Sequence, residues 1–212
     1  MSLSLHYFDG RGVIEPTRIM LNMKKIDFED VRYPIDMATY SRPEFDAVKA
    51  TGKFAANMDR VPVLIVGDAV IGQSKAIDRY VAKTCGMYGS NDIDAAMIDM
   101  IGEHVRDIKD AYQKIKVGKT GDELTAATTE FVNATLPDWL SKLEKTRSGS
   151  NFAVGNSLSL ADVYIFSFLT EYFDLKWEVI TLAAKYPKLS QSVAAVQEGA
   201  SAYLSERKVT KF

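Results

Sequence analysis

The chain is predicted to be an α/β N-terminal domain of order βαβ then ββα, followed by an all-α C-terminal helical domain. Three observations predict this. The opening residues alternate strand, helix and strand. The stretch VPVLIVGDAVIGQSKAIDRYVAK, from Val61 to Lys83, holds a hairpin and a helix. Beyond Gly86 the apolar period becomes wholly helical.

Leu3, Leu5 and Tyr7 alternate with Ser4 and His6, which is a half-buried first strand ending at Tyr7. Asp9-Gly10-Arg11-Gly12 is a loop. A helix from Glu15 to Lys24 carries Ile14, Ile19 and Met23 inward, and Ile26 to Val31 reads as a second strand. Strand, helix, strand in succession implies a parallel pair joined by a crossover helix. Residues 34–60 are irregular apart from a short helix at Glu44 to Ala50. Val63–Val66 and Ala69–Ile71, punctuated by Gly67-Asp68, form the hairpin. This is a thioredoxin-like arrangement without the cysteines of thioredoxin.

Two backbone features make the hairpin unit a candidate binding site. Pro62 stands at the mouth of a strand, where a cis bond would turn the backbone of Val61 outward. The helix that follows starts at or beside Ser74 and presents N–H groups, a positive dipole end and a hydroxyl, which suit a carboxylate or phosphate. Ser74 can instead be a plain N-cap; Ile77 stands where a capping box needs Glu or Gln, leaving a donor free. Gly86 is the expected left-handed C-terminal cap.

The segment MYGSND reads as a linker, giving domains at 1–86 and 93–212. Asp92 can cap a long helix with its apolar stripe through Met97, Ile101, Val105, Ile108, Tyr112 and Ile115. A second helix spans Asp122 to Thr146, kinked or broken by Pro137. Ser159 and Asp162 have the spacing of a capping box, stapled by Leu158 and Val163, which reads as a stability device without chemistry. Helices at Val179–Lys185 and Leu189–Gly199 follow, and the basic tail from Ser205 reads as loose.

Composition excludes several function classes. With 26 basic and 28 acidic residues the net charge is −2, so no electrostatic footprint for nucleic acid or an anionic membrane is expected. No secretory leader and no apolar run near the roughly 20 residues of a membrane span is visible, which points to the cytoplasm. One cysteine, Cys85, leaves no internal disulfide and no CxxC motif, and the two histidines, His6 and His104, read as packed residues. No metal site is expected.

The run V-P-V-L-x-V followed by G-Q-S-K-A-I-x-R-Y-V-A resembles the glutathione-binding half of cytosolic glutathione transferases. H-Y-F-D-G-R-G resembles the Y-F-x-x-R-G opening of their tyrosine-type members, the sigma and pi classes most closely, and the capping box occurs at the same place in the family. The resemblance covers nearly the whole chain. It implies that Tyr7 hydrogen-bonds the glutathione sulfur. Val61, beside a cis Pro62, pairs with the cysteinyl backbone, while Gln73 and Ser74 hold the γ-glutamyl carboxylate. Lys49 matches a lysine facing the glycyl carboxylate, and Arg60 stands where glutamine or lysine is usual. YGSNDIDAAMIDMIGEHVRDIKDAY resembles the start of the pi-class helical domain and places Asp107 at an acid that reaches the glutamyl amine across a homodimer.

Besides Arg60, two further positions depart from the pattern, and the loop before Arg60 is several residues longer. Val13 replaces an arginine common near the tyrosine, and Arg42 falls closest to a family tryptophan. Phe8, Gly10, Val13 and Phe212 would line the second-substrate pocket, to which the helical domain contributes. The implied function is conjugation of the glutathione thiolate, glutathione being co-substrate, to hydrophobic electrophiles. The alternatives are a prostaglandin-synthase-like isomerase and a non-catalytic, crystallin-like carrier. Cys85, at a helix C-terminus, is no candidate for thiol transfer.

Overall fold

A computed structural model describes residues 2–208 and Thr210. The chain divides into two compact units, one running to Cys85 and including the described residues from Ala202 onward, the other Gly86–Ser201.

The first unit is a four-stranded mixed sheet with helices. In chain order it holds β1 (Leu3–Phe8), α1 (Glu15–Met23), β2 (Glu29–Tyr33), α2 (Pro43–Ala50), β3 (Val63–Val66), β4 (Ala69–Gly72) and α3 (Ser74–Thr84). The sheet order is β2-β1-β3-β4. β1 and β2 are parallel with Leu5 beside Asp30, whereas β3 runs antiparallel to both β1 and β4. β2 starts at Glu29, not at Ile26 as expected. The backbone N–H groups of Lys24, Lys25 and Ile26 are used to close the C-terminus of α1, on Met20, Asn22 and Leu21, so the strand begins only after that turn is finished.

Leu5, Ile14, Ile19, Met20, Leu21, Leu64, Ile77 and Val81 are buried. A separate aromatic cluster joins Tyr33, Phe45, Phe54 and Val63, with Phe8 and Val61 packed against it. α1 and α3 are tied by the Thr17 hydroxyl, which donates to the Asp78 carboxylate at 2.7 Å.

The tail is not loose. In α10 (Ser201–Glu206) and just beyond it, the Tyr203 hydroxyl donates to Glu15 at 3.0 Å and Arg207 pairs with the same carboxylate at 2.8 Å. Lys208 pairs with Asp9, and Arg11 donates to the Thr210 carbonyl at 3.2 Å. The cause is Glu15 itself, a buried carboxylate that needs donors. These last residues therefore join the first unit and not the helical one.

The second unit holds α4 (Asp92–Lys116), α5 (Gly121–Glu130), α6 (Leu136–Thr146), α7 (Leu160–Glu171), α8 (Lys176–Ala183) and α9 (Pro187–Gly199). Asn91, not Asp92, caps α4, its carboxamide oxygen accepting from the N–H groups of Ile93 and Asp94 at 3.0 Å. The buried seam runs Ile98, Ile101, Gly102, Val105, Ile108 and Tyr112. α5 and α6 are joined by a π-helical stretch at Phe131–Thr135. That wider turn leads into Pro137, which has no N–H to give the ladder, so the helical run bulges instead of breaking. The capping box of α7 is present: Ser159 N–H donates to Asp162 at 3.0 Å. Asp162 also accepts from Ala153 N–H and the Ser192 hydroxyl, at 2.8 and 2.6 Å.

Met87 and Tyr88, read from the sequence as linker, are bound into this unit. The Met87 carbonyl accepts from Leu160 N–H at 2.9 Å and the Tyr88 hydroxyl donates to Asp99 at 2.7 Å. Among the described residues no helix is long and apolar enough to cross a membrane.

Candidate functional site

Tyr7 lies near the end of β1, where the chain leaves the sheet into the Asp9–Gly12 loop. Its hydroxyl rests against the loop backbone. Gly12 has φ +49, and a methyl built on it would stand 2.7 Å from Tyr7 Oη, so both the conformation and the space call for glycine. Burial raises the Tyr7 pKa, outweighing the Val13 backbone N–H and the Arg18 charge that pull it down. The hydroxyl therefore keeps its proton at neutral pH and is a donor.

Arg18 is fully buried below this loop. Its guanidinium carbon lies 6.0 Å from the centre of the Tyr7 ring, and its Nη1 donates to the Gly10 carbonyl at 2.6 Å. Sequence reading missed it, because an arginine on an amphipathic helix is expected to face water. The available signal was the i, i+3 pairing with Glu15, whose carboxylate lies 3.7 Å away.

The second half of the site is built around the Val61–Pro62 bond, which is cis. A further residue absent from the sequence reading, Asn57, brackets it. The Asn57 carboxamide is buried and donates to the carbonyls of Arg60 and Pro62 at 2.8 and 3.0 Å, on either side of Val61. Gly72 passes so close that an added methyl would fall 2.1 Å from Asn57 Oδ1. Asn57 thus fixes the Val61 loop to the end of β4, immediately before Gln73 and Ser74.

Gln73 is the N-cap of α3 and Ser74 its first helical residue, so Ser74 is not the cap. The Gln73 side chain makes no capping hydrogen bond, and the residue holds φ +67, a conformation that side chains with a β-carbon avoid. Both side chains stand at a helix N-terminus without being used to close it.

The remaining candidates are more scattered. Lys49 is half-buried in the last turn of α2. Arg60 is exposed, its guanidinium against the Met58 sulfur at 3.4 Å. Arg42 is nearer the aromatic cluster than the sequence suggests, stacked over Phe8 and Phe45 at 5.8 and 5.2 Å from their ring centres. Phe8 packs against the cluster that also carries Val61. Gly10 is buried and its carbonyl is taken by Arg18, while Val13 is 54% exposed. Asp107 is exposed on α4, in the second unit, and accepts from Arg106 at 3.2 Å. Phe212 lies outside the described residues. Cys85 is buried, and burial pushes its thiol pKa up, the wrong direction for a reactive thiolate. Among the described residues no cluster of His, Cys, Asp or Glu could hold a metal ion.

Residues 3–83 match the family model described as glutathione S-transferase, N-terminal domain, and residues 106–207 match glutathione S-transferase, C-terminal domain. The chain is 31% identical to glutathione S-transferase P 10 of Caenorhabditis elegans, over 98% of this chain and 92% of that one. Among solved structures it resembles the pi-class glutathione S-transferase of Onchocerca volvulus, with TM-score 0.77 and 28% identity, covering 98% and 94% of the two chains. Prostaglandin synthase D of Nilaparvata lugens is also similar, with TM-score 0.78 and 26% identity over 99% and 100%.

Proposed function

The chain belongs to the glutathione S-transferase family, near its sigma and pi classes, and from that premise we propose that Tyr7 holds the glutathione thiol as a thiolate for attack on an apolar electrophile. The carrying observation is the Tyr7 hydroxyl, kept protonated by burial and seated on the backbone of Gly12 and Val13. A free thiol titrates near about 8.5, so only a few per cent is nucleophilic at neutral pH. A neutral O–H donor stabilises the anion and leaves its lone pair available. The thiolate then forms a carbon–sulfur bond as a leaving group departs or as a conjugated π bond shifts its electrons to a carbonyl; the thiol proton has already gone to solvent.

The rest of glutathione is assigned by chemistry. Val61 offers backbone N–H and C=O to the cysteinyl residue. Gln73, Ser74 and the N-terminus of α3 take the γ-glutamyl carboxylate, and the strained backbone at Gln73 supports a binding role there. Lys49 and Arg60 face the glycyl carboxylate. Asp107 of the partner subunit takes the glutamyl amine, which makes the active form a homodimer. The second substrate is assigned to Phe8, Gly10 and Val13. Conjugation of apolar electrophiles suits a detoxification role, and the cytoplasm is the compartment expected for it.

Tyr7→Phe tests the assignment. A hydroxyl hydrogen bond to charged sulfur contributes about 1.5–3 kcal/mol, so conjugation at pH 6.5 should fall roughly tenfold to hundredfold. Wild type and variant should converge at high pH, where the thiol ionises unaided. An unaltered ultraviolet thiolate titration in a folded, glutathione-binding variant would remove Tyr7 from the role. A screen over aryl halides, unsaturated carbonyls and prostaglandin H2 separates conjugation from isomerisation. Glutathione binding without turnover of any of them would leave the carrier reading.

A further inference from the structure

We infer that Arg18 is the positioning residue that biases the Tyr7 site toward a bound thiolate, replacing from beneath the loop the charge that Val13 lacks, and that Glu15 sets how much of that charge is felt. The inference rests on the transferase reading above.

Arg18 is fully buried and its guanidinium carbon lies 6.0 Å from the centre of the Tyr7 ring. A charge at that depth acts through a medium that screens it far less than water. Its Nη1 also grips the Gly10 carbonyl at 2.6 Å, so the same group that carries the charge holds the loop on which the Tyr7 hydroxyl rests.

The carboxylates beside Arg18 are shared with other donors. Arg18 Nε reaches Asp30 at 3.1 Å, but Asp30 also serves Arg32 at 2.8 Å. Glu15 stands 3.7 Å from Arg18 and is shared with Tyr203 and Arg207. Asp9 is shared by Arg32 and Lys208. Asp9, Glu15 and Asp30 are thus each shared between donors among the described residues. Arg18 Nη2 and Glu15 Oε2 are both buried with no hydrogen-bond partner among the described residues, as expected of a pair kept for its field and not for geometry alone. The Arg18 charge acts on the Tyr7 hydroxyl in the direction that favours an anion there.

The decisive variants move the field in opposite senses. Glu15→Gln keeps the shape and the side-chain oxygen that Tyr203 and Arg207 donate to, yet removes a negative charge. It should increase the thiolate fraction of bound glutathione at pH 6 by about two- to fivefold. Arg18→Met should decrease it about three- to tenfold at pH 6.5, with the deficit closing by pH 9, and Arg18→Lys should retain most of the wild-type titration.

The readout is the ultraviolet titration of glutathione bound to the full-length protein, with melting curves alongside. Damage to packing would impair both variants alike, so opposite shifts support the inference. Glu15→Gln that leaves the titration unchanged or moves it upward overturns it, and this arm decides even where Arg18→Met does not fold. If wild-type protein shows no thiolate band, the transferase chemistry and this inference fall together. A wild-type band with unresponsive variants sinks the inference alone.

Discussion

The space beside the Tyr7 hydroxyl is as constrained as the tyrosine itself. Gly12→Ala adds a methyl 2.7 Å from Oη at a φ of +49, so the hydroxyl must move. Conjugation at pH 6.5 should fall about tenfold, while glutathione affinity measured by calorimetry should change less than about threefold, because the carboxylate sites are elsewhere. The place of Tyr7 near the end of β1 was legible from the alternating pattern, although the strand runs one residue further than expected, to Phe8. Arg18 and Asn57 were not legible, since what buries each is a set of partners distant in sequence or hidden in loop conformation. The sequence placed Ser74 at the helix start without deciding whether it was the cap, and only the backbone of Gln73 settles that.

His6 was legible as a packed residue, and its surroundings give a prediction in pH. Burial first, then the Lys53 charge, lower its pKa from 6.5 to about 4, against a weaker opposing pull from Glu29. The ring is held neutral between the Ser4 and Tyr33 hydroxyls at 2.9 and 2.8 Å, with the Phe54 ring edge-on. Between these two pH values the unfolded chain binds a proton that the folded chain does not. Stability therefore rises with pH across that window and is lost as pH falls from 6.5 toward 4, by about 2–3 kcal/mol in all. Urea denaturation at several pH values should show this slope, and His6→Gln should flatten it.

At the level of elements, legibility followed sequence distance. The Ser159–Asp162 box spans four residues and could be read directly; Ala153 and Ser192, which complete the hydrogen bonding of Asp162, could not. Asp162→Ala would orphan several buried donors at once and should cost about 3–5 kcal/mol, measured by denaturant midpoint, where an ordinary exposed cap costs about 1. Asp162→Asn should recover part of that loss. The start of β2 was misread for a related reason. Ile26 and Phe28 look like strand in apolar pattern, but the end of α1 captures the backbone of residues 24–26. Pro137 was expected to kink or break the helix, and the π-helical stretch ahead of it is a solution that no local rule selects.

At the scale of the molecule, the two-part plan was legible from the change of hydrophobic period. The return of the tail to the first unit was not. Assembly supplies the prediction here. If Asp107 of the partner subunit completes the glutathione site, Asp107→Ala should weaken glutathione binding roughly tenfold to hundredfold without altering the melting curve, as for a charge-assisted contact of about 1.5–3 kcal/mol. Sedimentation showing a stable monomer of full affinity would remove that role and leave the side chain with its observed neighbour Arg106.

The seating of Tyr203 and Arg207 on Glu15 also bears on the order in which the chain can mature. The unit that carries Tyr7 is encoded first, yet its buried carboxylate waits for residues beyond 201 before it meets two of its donors. On the ribosome, the helical unit lies between those two pieces and is complete in sequence sooner. The sheet-bearing unit, though nearest the N-terminus, is thus set to reach its final form last, and a ribosome stalled before residue 203 would display it with its charge cluster still open.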